Sequence, residues 1–348
     1  MDALSEVYKD HPLSLHEITP FDFNSVQLPV PDSHAWPPSS HPVVSPNEQL
    51  SSIPVVDLRD HDAVEVIRRG CETWGVFQVV NHGVTQQLVE EVESQTRRLF
   101  SLPLRQKMAA LRTPGGSTGY GVARITPFFS KLMWHEGFTI IGSSADHAGK
   151  LWPDDYLGFC NVMDEYQKRM KILAEELLSL ILKSLNIPQG RVNWGDLTGE
   201  AEGPTMALQL NSYPTCPDPT QTIGLAPHTD SFLFTILHQS DSDGLQIFKD
   251  GVGWVPVDPV PGALVVNIGD LLHIISNGQF PSVLHRAVTN RTMHRVSVAY
   301  FYGPPMDFQL SPVVNSSHEC PCYRSLKVKE YISIRSKHLD RALSMIRI

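Results

Sequence analysis

Cysteine is scarce in this chain of 348 residues: five are present, and of Cys71, Cys160, Cys216, Cys320 and Cys322 only the last two are close. So odd and scattered a set suits neither a disulfide framework nor a zinc module, and a reducing compartment is expected. No block rich in lysine and arginine occurs. The 28 basic residues are interleaved with 37 acidic ones for a net charge of −9, which gives no electrostatic footprint for nucleic acid or an anionic membrane. Nowhere do about eighteen uncharged apolar residues run together, and the opening MDALSEVYKDHPLSL lacks a basic segment followed by an apolar one. Neither a membrane span nor a secretory leader is expected, and the cytosol, with the nucleus open by diffusion, is the expected location. There is no internal repeat, and a monomer is expected.

What is present is the composition of a globular protein with a substantial core, 41% hydrophobic and 19% charged, long enough for one large or two ordinary domains. Residues 28–52, LPVPDSHAWPPSSHPVVSPNEQLSS, are dense in proline and serine without period, so residues 1–52 read as an extended arm. An α/β region is expected over 53–199. It starts with the apolar run IPVVDL, a helix to about Trp74, the strand-like GVFQVVNHGV and a second helix from about Thr85 that stops before Pro103. Between Cys160 and Leu185 apolar residues recur at three- and four-residue steps, the stripe of a long helix lying across a sheet. After Gly203 the texture changes to short β-rich runs separated by Gly, Pro, Asn and Asp, which predicts a closed or double-sheet β architecture over 200–310 rather than a parallel βαβ sheet. Residues 311–348 end in a helical pattern that would pack back as a cover.

One stretch carries chemistry. GLAPHTDSFLFTIL, Gly224 to Leu237, reads mostly as a buried strand yet holds His228 and Asp230 two positions apart. Alternate side chains of a strand project the same way, about 6–7 Å apart, close enough to reach one ion. His285, in the β-type run SVLHRAV, is available as a third ligand if a β-meander brings it opposite the first pair. Two imidazoles and one carboxylate leave one side of an ion open, the arrangement of non-haem Fe(II) oxygenases, whereas structural zinc takes four ligands. An isolated His-x-Asp is more often a satisfied polar pair in a turn. Ten residues beyond His285, however, stand Arg295 and Ser297, again two apart on one strand face, and an arginine grips a carboxylate bidentately. Fe(II) so held keeps a charge of about +1, matched to a dianion that chelates the metal at one end and pairs with arginine at the other; 2-oxoglutarate has that shape. His82, His238, His273 and His294 have no carboxylate at ligand spacing and read as turn, surface or packing residues.

The order H-x-D, about 55 residues, H, ten residues, R-x-S resembles the signature of the plant 2-oxoglutarate- and Fe(II)-dependent dioxygenases. The resemblance implies a double-stranded β-helix core (jelly-roll, cupin-like), Fe(II) on His228, Asp230 and His285, 2-oxoglutarate on Arg295 and Ser297, O2 as oxidant and ascorbate as reductant. It adds Tyr213 and Asn211, from the NSYP segment, as cosubstrate residues. STGYGVARITPFF, KLMWHEGFTI, TWGVFQVVNHGV and the closing ALSMIR are similar to the gibberellin 3-beta-dioxygenases, which implies a diterpenoid acid as substrate. Such a substrate wants an apolar, aromatic-lined cavity and one cation, which makes Arg124, Tyr120, Trp134 and Phe138 candidate substrate residues. His135 departs from the small polar residue usual in the W-x-E-G-F motif and bears on fine specificity. A gibberellin 2- or 20-oxidase and a flavonoid-type hydroxylase are the neighbouring alternatives. A non-catalytic binder or a zinc hydrolase would have no use for the Arg295 and Ser297 grip.

Overall fold

A computed structural model of the protein describes residues 2–23, 29–37, 52–187, 203–240, 242–314 and 320–348. The strands of its two larger sheets are β1 Val55–Asp57, β2 Val76–Val80, β3 Gly119–Gly121, β4 Glu136–Ile140, β5 Thr205–Tyr213, β6 Leu225–His228, β7 Phe234–Gln239, β8 Leu245–Lys249, β9 Gly253–Pro256, β10 Leu264–Ile268, β11 His285–Ala287 and β12 Arg295–Gly303. Eight form one sheet in the order β1-β2-β10-β7-β12-β5-β4-β3, and four form a second in the order β6-β11-β8-β9. Every pairing in them is antiparallel except β1 with β2. Neighbours are mostly non-consecutive: β6 pairs with β11, and β7 lies between β10 and β12. The connections therefore cross from sheet to sheet, and the expected meander between His228 and His285 gives way to a jelly roll.

Alternation along the strands decides what each face of the large sheet does. Even-numbered residues, Phe138 and Ile140 on β4, Leu208 and Leu210 on β5, Phe234 and Ile236 on β7, and Val298, Tyr300 and Tyr302 on β12, join one buried apolar cluster with the helices behind the sheet. Odd-numbered residues of the same strands, Ala207, Gln209, Asn211, Tyr213, Thr235, Leu237, Arg295, Ser297, Ala299 and Phe301, line a cavity. A second apolar cluster closes the roll at one end, where Leu237, Val265 and Ala299 of the large sheet meet Leu245, Ile247 and Val255 of the small one.

The long helix spans Leu157–Ser184, and its buried stripe includes Met163, Tyr166, Met170, Leu173, Leu177 and Ile181. It stops because Asn186 adopts a left-handed conformation (φ 55°), so that the amides of Asn186 and Ile187 turn back to the carbonyls of Lys183 (3.1 Å) and Leu182 (2.9 Å). The helix Gln86–Phe100 begins at Thr85, whose hydroxyl accepts the Leu88 amide at 3.3 Å. The arm is not uniformly extended. Helices Ala3–Tyr8 and Leu15–Ile18 interrupt it, the first capped by Asp2, and the Ile18 carbonyl accepts the Val122 amide just beyond β3. The rest of the arm at 24–28 and 38–51, and the expected boundary at 199–200, lie outside the described residues. The closing helix is Val328–His338. No helix among the described residues is long and apolar enough to cross a membrane.

Candidate metal and cosubstrate site

β6 ends at His228 and β11 begins at His285, and these two residues are direct cross-strand partners. Their ring centroids are 4.3 Å apart. Asp230 stands two residues past His228 and, against the sequence reading, beyond the end of the strand. Its Oδ1 nevertheless faces both imidazoles, 3.6 Å from His228 Nε2 and 3.8 Å from His285 Nε2. One ligand atom from each of the three lies within 4.8 Å of the others.

Backbone and side-chain partners fix which atoms are offered. His228 Nδ1–H donates to the Ala226 carbonyl (2.8 Å) and His285 Nδ1–H to the Val283 carbonyl (3.1 Å). Because a carbonyl can only accept, Nδ1 carries the proton in both rings and each Nε2 presents its lone pair. Thr235 donates its hydroxyl to Asp230 Oδ2 at 2.5 Å, leaving Oδ1 to face the histidines. Burial, and next the proximity of His285, push the His228 imidazolium down to about 3, so the ring is neutral at physiological pH, as a ligand must be. Neutral nitrogens with one carboxylate oxygen, aimed at one point from one side, fit a ferrous ion.

The cosubstrate candidates form two cross-strand pairs on adjacent strands: Arg295 opposite Tyr213, and Ser297 opposite Asn211. The Asn211 amide donates to Ser297 Oγ at 3.3 Å, and the Arg295 guanidinium lies 5.0 Å from the Tyr213 ring centre. Arg295 is 2% exposed, its Nε has no partner among the described residues, and its guanidinium is hydrogen-bonded to Tyr213 and, at 3.5 Å, to Gln239 Oε1. Burial lowers its pKa, and no carboxylate forms an ion pair with it among the described residues. A Cβ at Gly244 would come within 2.8 Å of Arg295 Cδ and 2.9 Å of Nε, so the glycine keeps the space the guanidinium occupies. A buried cation so short of partners fits an anionic ligand that arrives with its own carboxylate.

Metal and cosubstrate candidates line one cavity of about 330 Å³. Of the candidate substrate residues, Arg124 lines it and Tyr120, Trp134 and Phe138 do not. Trp134 packs with Val30 and Cys216, and Phe138 sits in the core behind the sheet. Tyr120 gives its hydroxyl to Glu136, which also takes the Lys107 ammonium at 2.6 Å in a buried ion pair. Their faces were the wrong ones: Trp134, Glu136 and Phe138 point away from the cavity, while His135 and Thr139 line it.

Sequence reasoning also missed a brace. Asp270 is fully buried and accepts from Tyr331 (2.7 Å) and Ser282 (2.7 Å), and Arg335 Nε stands 3.1 Å from it. Arg335 also donates to the carbonyl of Thr229, the residue between His228 and Asp230. The Asp270 amide donates to the Asp230 carbonyl at 2.8 Å.

Two family profiles match the chain: the 2OG-Fe(II) oxygenase superfamily over residues 204–304, and the N-terminal region described as non-haem dioxygenase in morphine synthesis over 53–155. The chain is 47% identical to gibberellin 3-beta-dioxygenase 1 of Pisum sativum, over 100% of this chain and 94% of that protein. It is 46% identical to gibberellin 3-beta-dioxygenase 3 of Arabidopsis thaliana, over 100% of both. Among solved structures it is similar to JOX2 in complex with 2OG, Fe and JA (TM-score 0.77, 31% identity, 88% of this chain and 90% of that one). It is also similar to the rice dioxygenase for auxin oxidation (TM-score 0.70, 26% identity, 85% and 100%).

Proposed function

Because the chain belongs to the 2-oxoglutarate- and Fe(II)-dependent oxygenase family, we propose that it is a gibberellin 3-beta-hydroxylase that converts late gibberellin precursors to their bioactive products. His228, Asp230 and His285 would hold the ferrous ion, and Arg295 with Ser297 would grip the far carboxylate of 2-oxoglutarate beside Tyr213 and Asn211. When bound, the ion and cosubstrate couple reduction of O2 to release of succinate and CO2 and to hydroxylation of one substrate C–H bond. The chain's own residues do the rest. The two Nδ1–H bonds and the Thr235 hydroxyl hold the three ligands in orientation before any ion arrives. Leu225, Leu245, Ala287, Ala299 and Phe301 give the cavity apolar walls that limit water around the reacting centre. Within the reading the enzyme is a cytosolic monomer, open to the nucleus, that handles a small diterpenoid acid and no nucleic acid; the net charge of −9 supports the last point.

The observation that supports the chemistry is the His228, Asp230 and His285 group sharing one cavity with a buried arginine that forms no ion pair with a carboxylate among the described residues. The substrate is carried by near-half identity, end to end, with proteins of that activity. Incubating the protein with Fe(II), ascorbate, 2-oxoglutarate and late gibberellin precursors, then identifying products by mass spectrometry, tests both. A 3-beta-hydroxylated product formed with succinate is expected; oxidation at carbon 2 or 20, or turnover of flavonoids alone, would replace this substrate assignment.

A further inference from the structure

Beyond Arg295, the cavity holds more positive charge than its own acids balance. Asp230 is the one carboxylate among the described lining residues, against Arg112, Arg124, Arg286, Arg295 and Arg335. Arg335 is paired with Asp270 and Arg286 lies over Trp254. Arg112 and Arg124 stand apart from these: neither forms an ion pair with an acidic side chain among the described residues.

Arg112 is 4% exposed, and its Nε has no hydrogen-bond partner among the described residues. Among the described residues its guanidinium makes one hydrogen bond, from Nη2 to the Val122 carbonyl at 2.9 Å. A Cβ at Gly121 would stand 3.6 Å from both Cζ and Nη2, an ordinary contact distance, so the guanidinium lies directly beside β3. Arg124 donates to the Gly116 carbonyl and lies 3.6 Å from the ring centre of Tyr8. Burial first, and then the charge of Arg124, push Arg112 down to about 9, the condition of two cations held together without an anion. Leu4, Leu13, Val122, Ile125 and Phe128 line the same cavity, so what meets these arginines is apolar over most of its surface.

We propose that Arg112, assisted by Arg124, is the seat for the carboxylate of an otherwise apolar substrate, Arg112 lying buried and short of partners on the cavity wall with Arg124 as its cationic neighbour. The anchor then differs from the one the sequence suggested: Arg124 is in part engaged by Tyr8 and Gly116, and the more deeply buried Arg112 carries the recognition. Binding an anion there satisfies a desolvated cation, so an acid gains more than its uncharged ester.

The proposal rests on the acidic substrate of the functional reading, and its test separates the two. Isothermal titration calorimetry compares a gibberellin precursor acid, its methyl ester, and a panel of other apolar monocarboxylic acids with their esters, on the wild-type protein and on Arg112→Gln. The wild type is expected to prefer acid to ester by about 10- to 100-fold, and the variant to bind the two alike. If the precursor is hydroxylated but Arg112→Gln keeps the acid preference, the anion seat is overturned while the functional reading stands. If no precursor is hydroxylated but panel acids bind better than their esters in an Arg112-dependent way, the seat stands and the functional reading fails. A wild type that never prefers acid over ester overturns the seat outright. Should Arg112→Gln not fold, as thermal melts would show, Arg112→Lys decides: it keeps the charge but loses the planar fork, so a reduced acid preference supports the seat and an unchanged one overturns it.

Discussion

Asp230 has two oxygens, and Thr235 determines which of them is left for a metal. The short hydrogen bond from the Thr235 hydroxyl ties up Oδ2 and turns Oδ1 toward His228 and His285. Thr235→Val keeps the volume and removes the donor, so the carboxylate gains freedom to rotate and part of its charge is left unpaired. Partners of this kind are worth about 10- to 100-fold in metal affinity, and the variant is expected to bind Mn(II) or Fe(II) at least about tenfold more weakly by calorimetry, with little change in thermal stability. Affinity equal to wild type would mean that the carboxylate is held by other means. At this scale the ligand and cosubstrate candidates were legible as local patterns, His-x-Asp and Arg-x-Ser, although alternation accounts only for Arg295 and Ser297 on one face of β12, Asp230 lying past the end of β6. Thr235 was not, since nothing in the sequence marks one hydroxyl in an apolar strand as the partner of a residue five positions earlier.

Elements explain the errors as well as the successes. Periodicity located the helices Gln86–Phe100 and Leu157–Ser184 to within a few residues, since caps and apolar stripes are written locally. It could not say which face of β4 turns inward, because that depends on pairing with β5, whose odd-numbered face carries Asn211 and Tyr213. Phe138 and Trp134 were therefore placed on the wrong side. The closing helix was expected to be a cover, and it does more: Arg335 reaches from it to the Thr229 carbonyl and to Asp270, so the segment between two metal-ligand candidates is held from the far end of the chain. Arg335→Ala would leave Asp270 buried with only hydroxyl partners, and breaking a buried pair in this way costs about 3–5 kcal/mol. A matching loss in urea-unfolding free energy is expected, accompanied by weaker metal binding. A stability loss without any change in metal affinity would show that the brace serves the fold alone.

On the scale of the whole molecule, burial sets how stability responds to pH. His34 packs among Phe21, Phe23 and Trp134, and His135 lies between Tyr213 and the Asn211 amide. At 1% and 2% exposure, burial pushes both imidazoliums down to about 4. In the unfolded chain each would titrate near 6.5, so between about pH 6.5 and 4 the unfolded state binds more protons than the folded one. Stability must then fall as the medium is acidified through that window, with no loss from these two groups above it. At pH 5 each histidine contributes a loss on the order of 2 kcal/mol by the same linkage. The remaining acceptor capacity of His135 narrows the argument further. Gln209 Nε2 donates to the Leu210 carbonyl as well as to Asn211 Oδ1, which identifies that atom of Asn211 as an oxygen and requires the proton of His135 to sit on Nε2. A second proton on Nδ1, which has no partner, would be a buried charge with nothing to receive it. Urea unfolding at pH 7, 6 and 5 should therefore show a declining free energy, and His135→Gln, which cannot take up the proton, should flatten that decline. A free energy that holds level down to pH 5, or a variant that keeps the wild-type slope, would show that the molecule accommodates these protons without opening.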